Sequence, residues 1–480
     1  IETNIFQNVS VIATQLGVKI YAVGGYVRDE VLQPGKLKKD IDFVVAGSGL
    51  EFARAFAEKL GEEAGSLVEF PDFDTARFVF VVTEGETDVV KEVEFAGARR
   101  EAYSPDSRKP IVQATTLDED LSRRDFTVNA MAREVIEGVL SPTIIDPFNG
   151  LNDLHNKLLR TPLSPDETFS EDPLRMLRAA RFAAQLGFAI EHNVYEALKR
   201  NASRLKIISA ERIQEELMKL LATPIPSIGL YILHETKLFA EFLPEVPLLE
   251  GVEDLYGFQH KDNLSHTFKV VDNIAQWSPK PFLRLAGLLH DIAKPDTKQF
   301  QPGRGWTFDI HEHVGKKMVR QIMRLLHFSK ANTEYVARLV RWHLYPIAIM
   351  DDGVTDSPVR RLIVNLNDDL PDLLTLCRAD ITTGNPQKKV RRLKNYDLLD
   401  ARIAEVMEKD RLRAFQSPVR GDEIMAECGL KPGPTVGRIK KALEEAILDG
   451  RVANDHDAVQ AYFAQIKDEY LVKVQDWERL

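Results

Sequence analysis

Asp40-Ile41-Asp42 sets two carboxylates one residue apart. On a strand, residues i and i+2 share a face, so both acids converge while Ile41 points inward. Two like charges so placed repel unless a cation sits between them, and Mg²⁺ is bound through one or two carboxylates plus substrate phosphates. A lone Asp-x-Asp also reads as a solvent-facing strand end. The upstream segment Tyr21-Ala22-Val23-Gly24-Gly25-Tyr26-Val27-Arg28-Asp29 decides for the metal, because it reads as strand, double-glycine turn and helix start. Gly24 and Gly25 let backbone N–H groups approach an anion, the helix N-terminus favours negative charge, and Arg28 adds a bidentate phosphate contact. Glu94, on a later strand, is a candidate third carboxylate.

Two further clusters suit a nucleotide. Arg123-Arg124-Asp125-Phe126-Thr127-Val128-Asn129 puts Asp125 and Asn129 at i, i+4, one helix face. A carboxylate beside an amide suits ribose hydroxyls and paired arginines suit phosphates, although an N-terminal cap with a surface ion pair has the same spelling. In Ser170-Glu171-Asp172-Pro173-Leu174-Arg175-Met176-Leu177-Arg178, Ser170 is the expected N-cap, and Asp172, Arg175 and Arg178 follow at i+3 steps on one face. The alternative is a charged helix face with internal ion pairs.

A third constellation lies in the second half: His266, His290-Asp291, His313, His343 and Asp380. Neutral imidazoles with carboxylates suit Mg²⁺, Mn²⁺, Fe or Ni. His311 and His327 are left as ordinary core or surface histidines.

The elements that must position these groups change character near residue 150. Before it, β-branched or aromatic runs at 19–23, 41–45, 78–82 and 89–95 alternate with a helical stretch at 50–60. After it the periodicity is helical nearly throughout, with breaks at 224–226, 279–281, 303–305 and 431–434. The 480 residues are 44% hydrophobic and 28% charged, ordinary for a globular chain of two to four domains, which excludes collagen-like and wholly disordered classes. No stretch is apolar enough to cross a bilayer and the N-terminus lacks a basic, apolar leader. Two cysteines, Cys377 and Cys428, form neither a disulfide framework nor a four-thiolate zinc site, so a reducing, cytoplasmic location is expected. The net charge of −10 counts against a globally basic surface. The arginines nevertheless concentrate at Arg123-Arg124 and 175–181, and five of the seven residues in Lys388-Lys389-Val390-Arg391-Arg392-Leu393-Lys394 are basic. Such a track is expected to bind a phosphate backbone locally and with strong salt dependence, although a solvated basic helix face has the same spelling.

In order, Gly24-Gly25-x-x-Arg28-Asp29 with Asp40-x-Asp42, Arg123-Arg124-Asp125 and Glu171-Asp172-x-x-Arg175 resemble the motifs of the class II tRNA nucleotidyltransferase and bacterial poly(A) polymerase superfamily. Ser209-Ala210-Glu211-Arg212-Ile213-x-Glu215-Glu216-Leu217 resembles its neck motif, and Gly429-Leu430-Lys431-Pro432-Gly433-Pro434-x-Val436-Gly437 a tail common in bacterial members. The histidine–aspartate set resembles the HD phosphohydrolase superfamily, which related poly(A) polymerases typically lack.

The resemblance implies an α+β multidomain chain: a DNA polymerase beta-like nucleotidyltransferase head at 1–150, an all-α neck with a base-recognition helix at 151–245, an HD domain at 246–385 and a helical, RNA-binding tail at 386–480. By resemblance Asp40 and Asp42 hold catalytic Mg²⁺, while Gly24, Gly25 and Arg28 hold the triphosphate. Asp125 and Asn129 read the ribose, and Asp172 and Arg175 act as a protein template for the base. His266, His290, Asp291 and Asp380 would be primary ligands of a divalent transition metal or Mg²⁺, with His313 and His343 at positions that bind a second metal or a phosphate. The implied reaction is CCA addition to tRNA from CTP and ATP, with an accessory phosphatase or phosphodiesterase. A poly(A) polymerase, an A-adding enzyme, or an HD hydrolase with a regulatory head are the alternatives. Segment 99–108 resembles the loop that switches specificity from C to A, which favours full CCA addition.

Overall fold

The β-branched and aromatic runs of the first hundred residues pair into one sheet. In chain order the head contains α1 (Glu2–Leu16), β1 (Ile20–Val23), α2 (Gly25–Leu32), β2 (Asp40–Val45), α3 (Gly49–Leu60), β3 (Ser66–Phe70), β4 (Thr75–Glu84), β5 (Thr87–Gly97), β6 (Arg99–Ala102), β7 (Ile111–Ala114), α4 (Leu117–Ser122), β8 (Ala132–Ile136) and β9 (Val139–Leu140). The sheet order is β3-β4-β5-β2-β1-β8-β9, with β6 and β7 pairing separately. Every neighbouring pair in that sheet is antiparallel except β2 and β5, which run parallel.

This is a computed structural model describing residues 2–35, 40–84, 87–102, 111–114, 116–252, 254–255, 258–259, 262–350, 355–410 and 417–480. Residues 103–108 of the candidate specificity loop lie outside the described residues. The chain divides into two units, Ile1–Leu248 with Leu325–His327, and Leu249–Arg324 with Phe328–Leu480.

One face of the head sheet buries Ile41, Phe43, Phe78 and Phe95 against Phe52, Ala53 and Phe56 of α3. Phe95 stacks on Phe43 at 5.4 Å and meets Phe56 at 4.9 Å. Such ring pairs contribute beyond the area they bury. The packing fixes which way β2 faces. With Ile41 and Phe43 in the core, Asp40 and Asp42 must emerge on the opposite side. β3 escapes the sequence pattern because its side chains alternate between half-buried and exposed, leaving no apolar run.

The neck follows with α5 (Gly150–His155), β10 (Leu158–Leu159), α6 (Pro165–Glu171), α7 (Leu174–Leu186), β11 (Ala189–Ile190), α8 (His192–Asn201), α9 (Ala210–Leu221), α10 (Pro226–Glu235) and α11 (Phe239–Phe242). Two expectations are corrected here. Ser170 is not an N-cap but lies inside α6, whose cap is Ser164, accepting from Glu167 N at 3.3 Å. Asp172 does not share a helix with Arg175 and Arg178. Proline disfavours helical geometry in the residue before it, and Asp172, preceding Pro173, is extended at φ −139°, ψ 97° between α6 and α7.

The second unit is helical: α12 (Asn263–Trp277), α13 (Pro281–Leu289), α14 (Lys294–Thr297), α15 (His311–Leu325), α16 (Lys330–Trp342), α17 (Tyr345–Ala348), α18 (Asp356–Leu366), α19 (Leu370–Ala379) and α20 (Pro386–Asp410). Helices Gly421–Cys428, Pro434–Leu448 and His456–Leu471 close the chain around Ile424, Ile439, Leu443, Val459 and Phe463. The expected breaks recur as helix starts at Pro226, Pro281 and Pro434, where a missing N–H costs nothing, and as the hairpin turn at Gly303. Among the described residues no helix is long and apolar enough to cross a membrane.

Candidate functional site

A cavity of about 1020 Å³ opens on the polar face of β2. Asp40 and Asp42 lie on its wall beside Gly24, Gly25 and Arg28 of the preceding turn, with Arg123, Arg124, Asp125, Asn129, Asp172, Arg175 and Arg178 around it. Gly24 sits at φ 68°, ψ −134°, and a Cβ there would come within 2.9 Å of Arg124 Nη1. The turn is therefore built for a residue without a side chain.

Most charges in the cavity are already paired. Arg28, almost fully buried, donates to Asn129 Oδ1 (2.7 Å) and to Asp29 Oδ1 (2.7 Å). Asn129 Nδ2 donates to Asp125 Oδ1 (2.9 Å), and Arg178 donates to Asp125 Oδ2. Asp125 and Asn129 thus meet as expected, but across the 3₁₀ turn Thr127–Asn129 rather than along an α-helix. Arg124 pairs with Asp120 at 3.2 Å, and Arg123 pairs with Glu171. Arg175 donates to Glu171, to Thr168 O and to Arg123 O. Asp172 Oδ2 accepts from Arg212 at 2.8 Å.

Asp40 and Asp42 are the exception. Among the described residues neither carboxylate accepts a hydrogen bond or forms an ion pair. Crowding by protein within the cleft wall, together with Glu94 and Asp40, pushes Asp42 up to about 6 against the opposing pull of Arg124 and Arg77. Its outer surface stays open to the cavity. Glu94 lies opposite Asp42 in the β2–β5 register and is held by Arg77 at 3.1 Å. Two acids without a hydrogen-bonding or ion-pair partner, in an otherwise salt-bridged cleft, offer a donor set that suits a divalent cation.

Arg212, Glu216, Arg181 and Phe182 belong to this network although the motif spacing alone does not place them there. Arg212 and Glu216 are i, i+4 on α9: the first reaches Asp172, and the second accepts from Arg181 (2.7 Å) and approaches Arg178 (3.6 Å). Phe182 supports the guanidinium of Arg181 at 4.0 Å and that of Arg28 at 5.2 Å. The alternation Arg212-x-x-x-Glu216 on an amphipathic helix was the available signal.

Burial pushes Asp125 up, but the Arg178 charge and the bonds from Asn129 and Arg178 outweigh it and hold the carboxyl down at about 2. A depressed acid contributes stability that is complete above about pH 4 and lost as pH falls toward 2. Asp125→Ala, which leaves Arg178 only the longer contact to Glu216, is expected to destabilise the head by about 1–3 kcal/mol. Urea titrations of both chains at pH 7 and pH 3 should show that gap shrinking at the lower pH.

In the second unit five of the six expected residues converge. His266 Nε2 lies 2.9 Å from Asp380 Oδ1, and His290 Nε2 lies 3.6 Å from the same oxygen. Asp291 is buried between two groups. Its Oδ2 faces His290 (3.2 Å) and His266 (3.6 Å), and its Oδ1 faces His311 (3.2 Å) and His343 (3.7 Å). The sixth is corrected: His313 lies outside the cluster, half exposed and bonded to Glu312 at 2.8 Å, and His311 takes the inner position. The two residues open α15, and at about 100° per residue, positions i and i+2 face nearly opposite sides.

The backbone prepares these histidines. The Nδ1 atoms of His290, His311 and His343 donate to the carbonyls of Gly287 (2.8 Å), Phe308 (2.7 Å) and Val340 (2.7 Å), three residues upstream in each case. That bond fixes the tautomer and turns each Nε2 inward. Gly287 also lets α13 approach α12, since a Cβ there would lie 2.5 Å from Ile274 Cδ1. Burial lowers the His290 pKa, but Asp291 and Asp380 overcome it and hold the ring up at about 10. Burial and the neighbouring charge of His290 leave His343 lowered. His290 Nε2 is buried with no hydrogen-bond partner. Inward-facing imidazole nitrogens drawn around the carboxylates of Asp291 and Asp380 fit a divalent metal.

The residue matches follow this division. Residues 20–160 match the poly A polymerase head domain, 187–249 the probable RNA and SrmB-binding site of polymerase A, and 263–385 the HD domain. The head and HD families generally use divalent metals. The chain is 34% identical over 453 residues to a CC-adding tRNA nucleotidyltransferase of Thermus thermophilus, covering 91% of this chain and 92% of that one. It is 33% identical over 353 residues to an A-adding tRNA nucleotidyltransferase of Deinococcus radiodurans, covering 71% and 78%. In fold it resembles the Bacillus stearothermophilus CCA-adding enzyme solved with CTP, with a TM-score of 0.62, 23% identity, and 97% and 98% of the two chains covered. The fold and the cleft define a nucleotidyltransferase head, helical neck, HD domain and helical tail. The chain belongs to the tRNA nucleotidyltransferase and bacterial poly(A) polymerase family.

Proposed function

We propose that the head adds CCA to tRNA 3′ ends from CTP and ATP without a nucleic-acid template. The observation that carries this is the unpaired Asp40–Asp42 couple facing a cavity otherwise closed by arginine ion pairs. The RNA 3′-hydroxyl attacks the α-phosphorus as its proton passes to solvent, an O–P bond forms, and the bond to the pyrophosphate oxygen breaks. Asp40 and Asp42 would hold Mg²⁺, which would supply activation of the hydroxyl and neutralisation of the leaving group. The Gly24-Gly25 turn, with Arg28 behind it, cradles the triphosphate, and Arg123 and Arg124 face its charge. Asp125 and Asn129 set the ribose.

Asp172 and Arg175 read the base. A carboxylate accepting from an exocyclic amino group beside a donating guanidinium matches cytosine and adenine. Uracil and guanine present the reverse pattern and offer these two groups no matching partner, which is rejected. Asp172 Oδ1 accepts only from Leu174 N (3.1 Å) among the described bonds, so it keeps acceptor capacity. The exposed basic first turns of α20 contact the RNA backbone.

The HD domain is a metal-dependent phosphohydrolase, with His266, His290, Asp291 and Asp380 as ligands and His311 and His343 extending the set. A divalent transition metal suits this donor set, and when bound it supplies an activated water for attack on a phosphate ester.

Three acceptors test the product: tRNA lacking its last three nucleotides, tRNA ending in C, and tRNA ending in CC. CCA addition predicts that the first two take CTP and the third takes ATP. An enzyme that stops at CC, or that uses only the CC end, would overturn it in favour of a partial adder. Gly24→Ala places a side chain at positive φ, a strain of about 1–3 kcal/mol, and should raise KM for either nucleotide roughly tenfold with less effect on kcat. Steady-state kinetics with CTP read that split.

A further inference from the structure

A second cleft, of about 410 Å³, borders the histidine–aspartate cluster. One wall is a face of α12, where the capping residue Asp262, then Ser265 and His266, then Lys269 recur at helical spacing. The other wall is the turn Thr382, Thr383 and Gly384, which links Asp380 to α20. His266 belongs to both sites: its Nε2 faces Asp380 and its Nδ1 bonds Thr382 Oγ1 at 2.8 Å.

The lining chemistry is that of a donor. The Lys269 side chain is exposed and, among the described residues, has no hydrogen bond or ion pair. Thr383 Oγ1 accepts from Asn385 N at 3.3 Å, which leaves its proton to give. The one carboxylate, Asp262, is engaged in accepting from Gly251 N (3.0 Å) and Ser265 N (2.9 Å) at the start of α12. Among the described residues no Phe, Tyr or Trp lines the cleft to stack a base. An unpartnered ammonium beside hydroxyl donors suits a phosphate oxygen and offers nothing to an amino group.

We propose that this cleft is an anion subsite holding a second phosphate group of a substrate whose reacting phosphate lies at the histidine–aspartate cluster. The proposal rests on the reading of that cluster as a phosphohydrolase centre. Lys269 supplies the counter-charge, and Thr383 orients the group.

The test uses the full chain carrying Asp40→Asn and Asp42→Asn, which silences the head's metal site, with the same chain bearing His290→Ala as background for the head's arginines. Mn²⁺ binding is measured first by paramagnetic resonance. Calorimetry then compares methylphosphonate with methylenediphosphonate, which carry one and two linked phosphonates. The two-phosphonate probe should bind more tightly, with Lys269→Ala weakening it about tenfold, Lys269→Arg retaining most of the affinity and methylphosphonate barely affected. If Lys269→Ala changes neither probe, or weakens both equally, the subsite is overturned. Absence of HD-dependent Mn²⁺ binding would instead overturn the metal-centre reading, and the subsite with it.

Discussion

Asp42→Asn should lower nucleotide addition by on the order of 10³-fold or more, since a metal's charge stabilisation is worth several kcal/mol in the transition state. The fold should survive. Asp42 makes no hydrogen bond among the described residues, and its removal relieves repulsion from Glu94 and Asp40 rather than breaking a contact. A thermal melt at least as high as that of the parent, with addition lost, is the expected pair of results. The raised pKa gives this site a pH signature. With the carboxyl pushed up to about 6, protons compete with the cation below that pH, so at limiting Mg²⁺ the addition rate should climb as pH rises through about 6. Saturating Mg²⁺ should shift the rise to lower pH, because bound cation displaces the proton. A pH profile insensitive to Mg²⁺ concentration would remove Asp42 from the metal site.

Asp291→Ala is expected to have the largest effect in the second unit. Among the described residues Asp291 alone faces both histidine groups, and Lys294 also pairs with it at 2.5 Å. Without it the His290 ring keeps only Asp380 (3.6 Å) and Lys294 loses its carboxylate partner, a loss of about 3–5 kcal/mol for a broken buried charge pair. Metal content and phosphohydrolase activity should fall together by at least about 10²-fold, the scale on which mutation of metal-site partners acts. Addition by the head should persist, because its residues all lie in Ile1–Leu248. Asp291→Asn, nearly isosteric, separates charge from shape. If it keeps full metal content, the bridging charge is not what holds the ion.

Much of this was legible in the residues because the chemistry is local. Asp40-x-Asp42 needs only a strand, and a strand is what Ile41, Phe43, Val44 and Val45 dictate. Gly24-Gly25 needs only the turn it encodes. What escaped were the relations that tertiary packing creates. Asp172 reads as part of a helical stripe until Pro173 is weighed, which forces it into extended geometry. His311 and His313 are indistinguishable as residue types. Only the start of α15 decides which one turns inward, and that start depends on Phe308 O accepting from His311. The net charge misdirects for a similar reason, since composition sums over pairs such as Arg178–Asp125 and Arg181–Glu216 whose charges cancel locally.

On the proposed function a protein surface, rather than a nucleic-acid strand, selects C and then A at a tRNA end. Sequencing the 3′ ends made from tRNA lacking its last three nucleotides, with all four nucleoside triphosphates and Mg²⁺ present, tests it most directly. The expected product is CCA and nothing longer, with U and G absent. Long adenosine tracts, or U and G at the added positions, would contradict it.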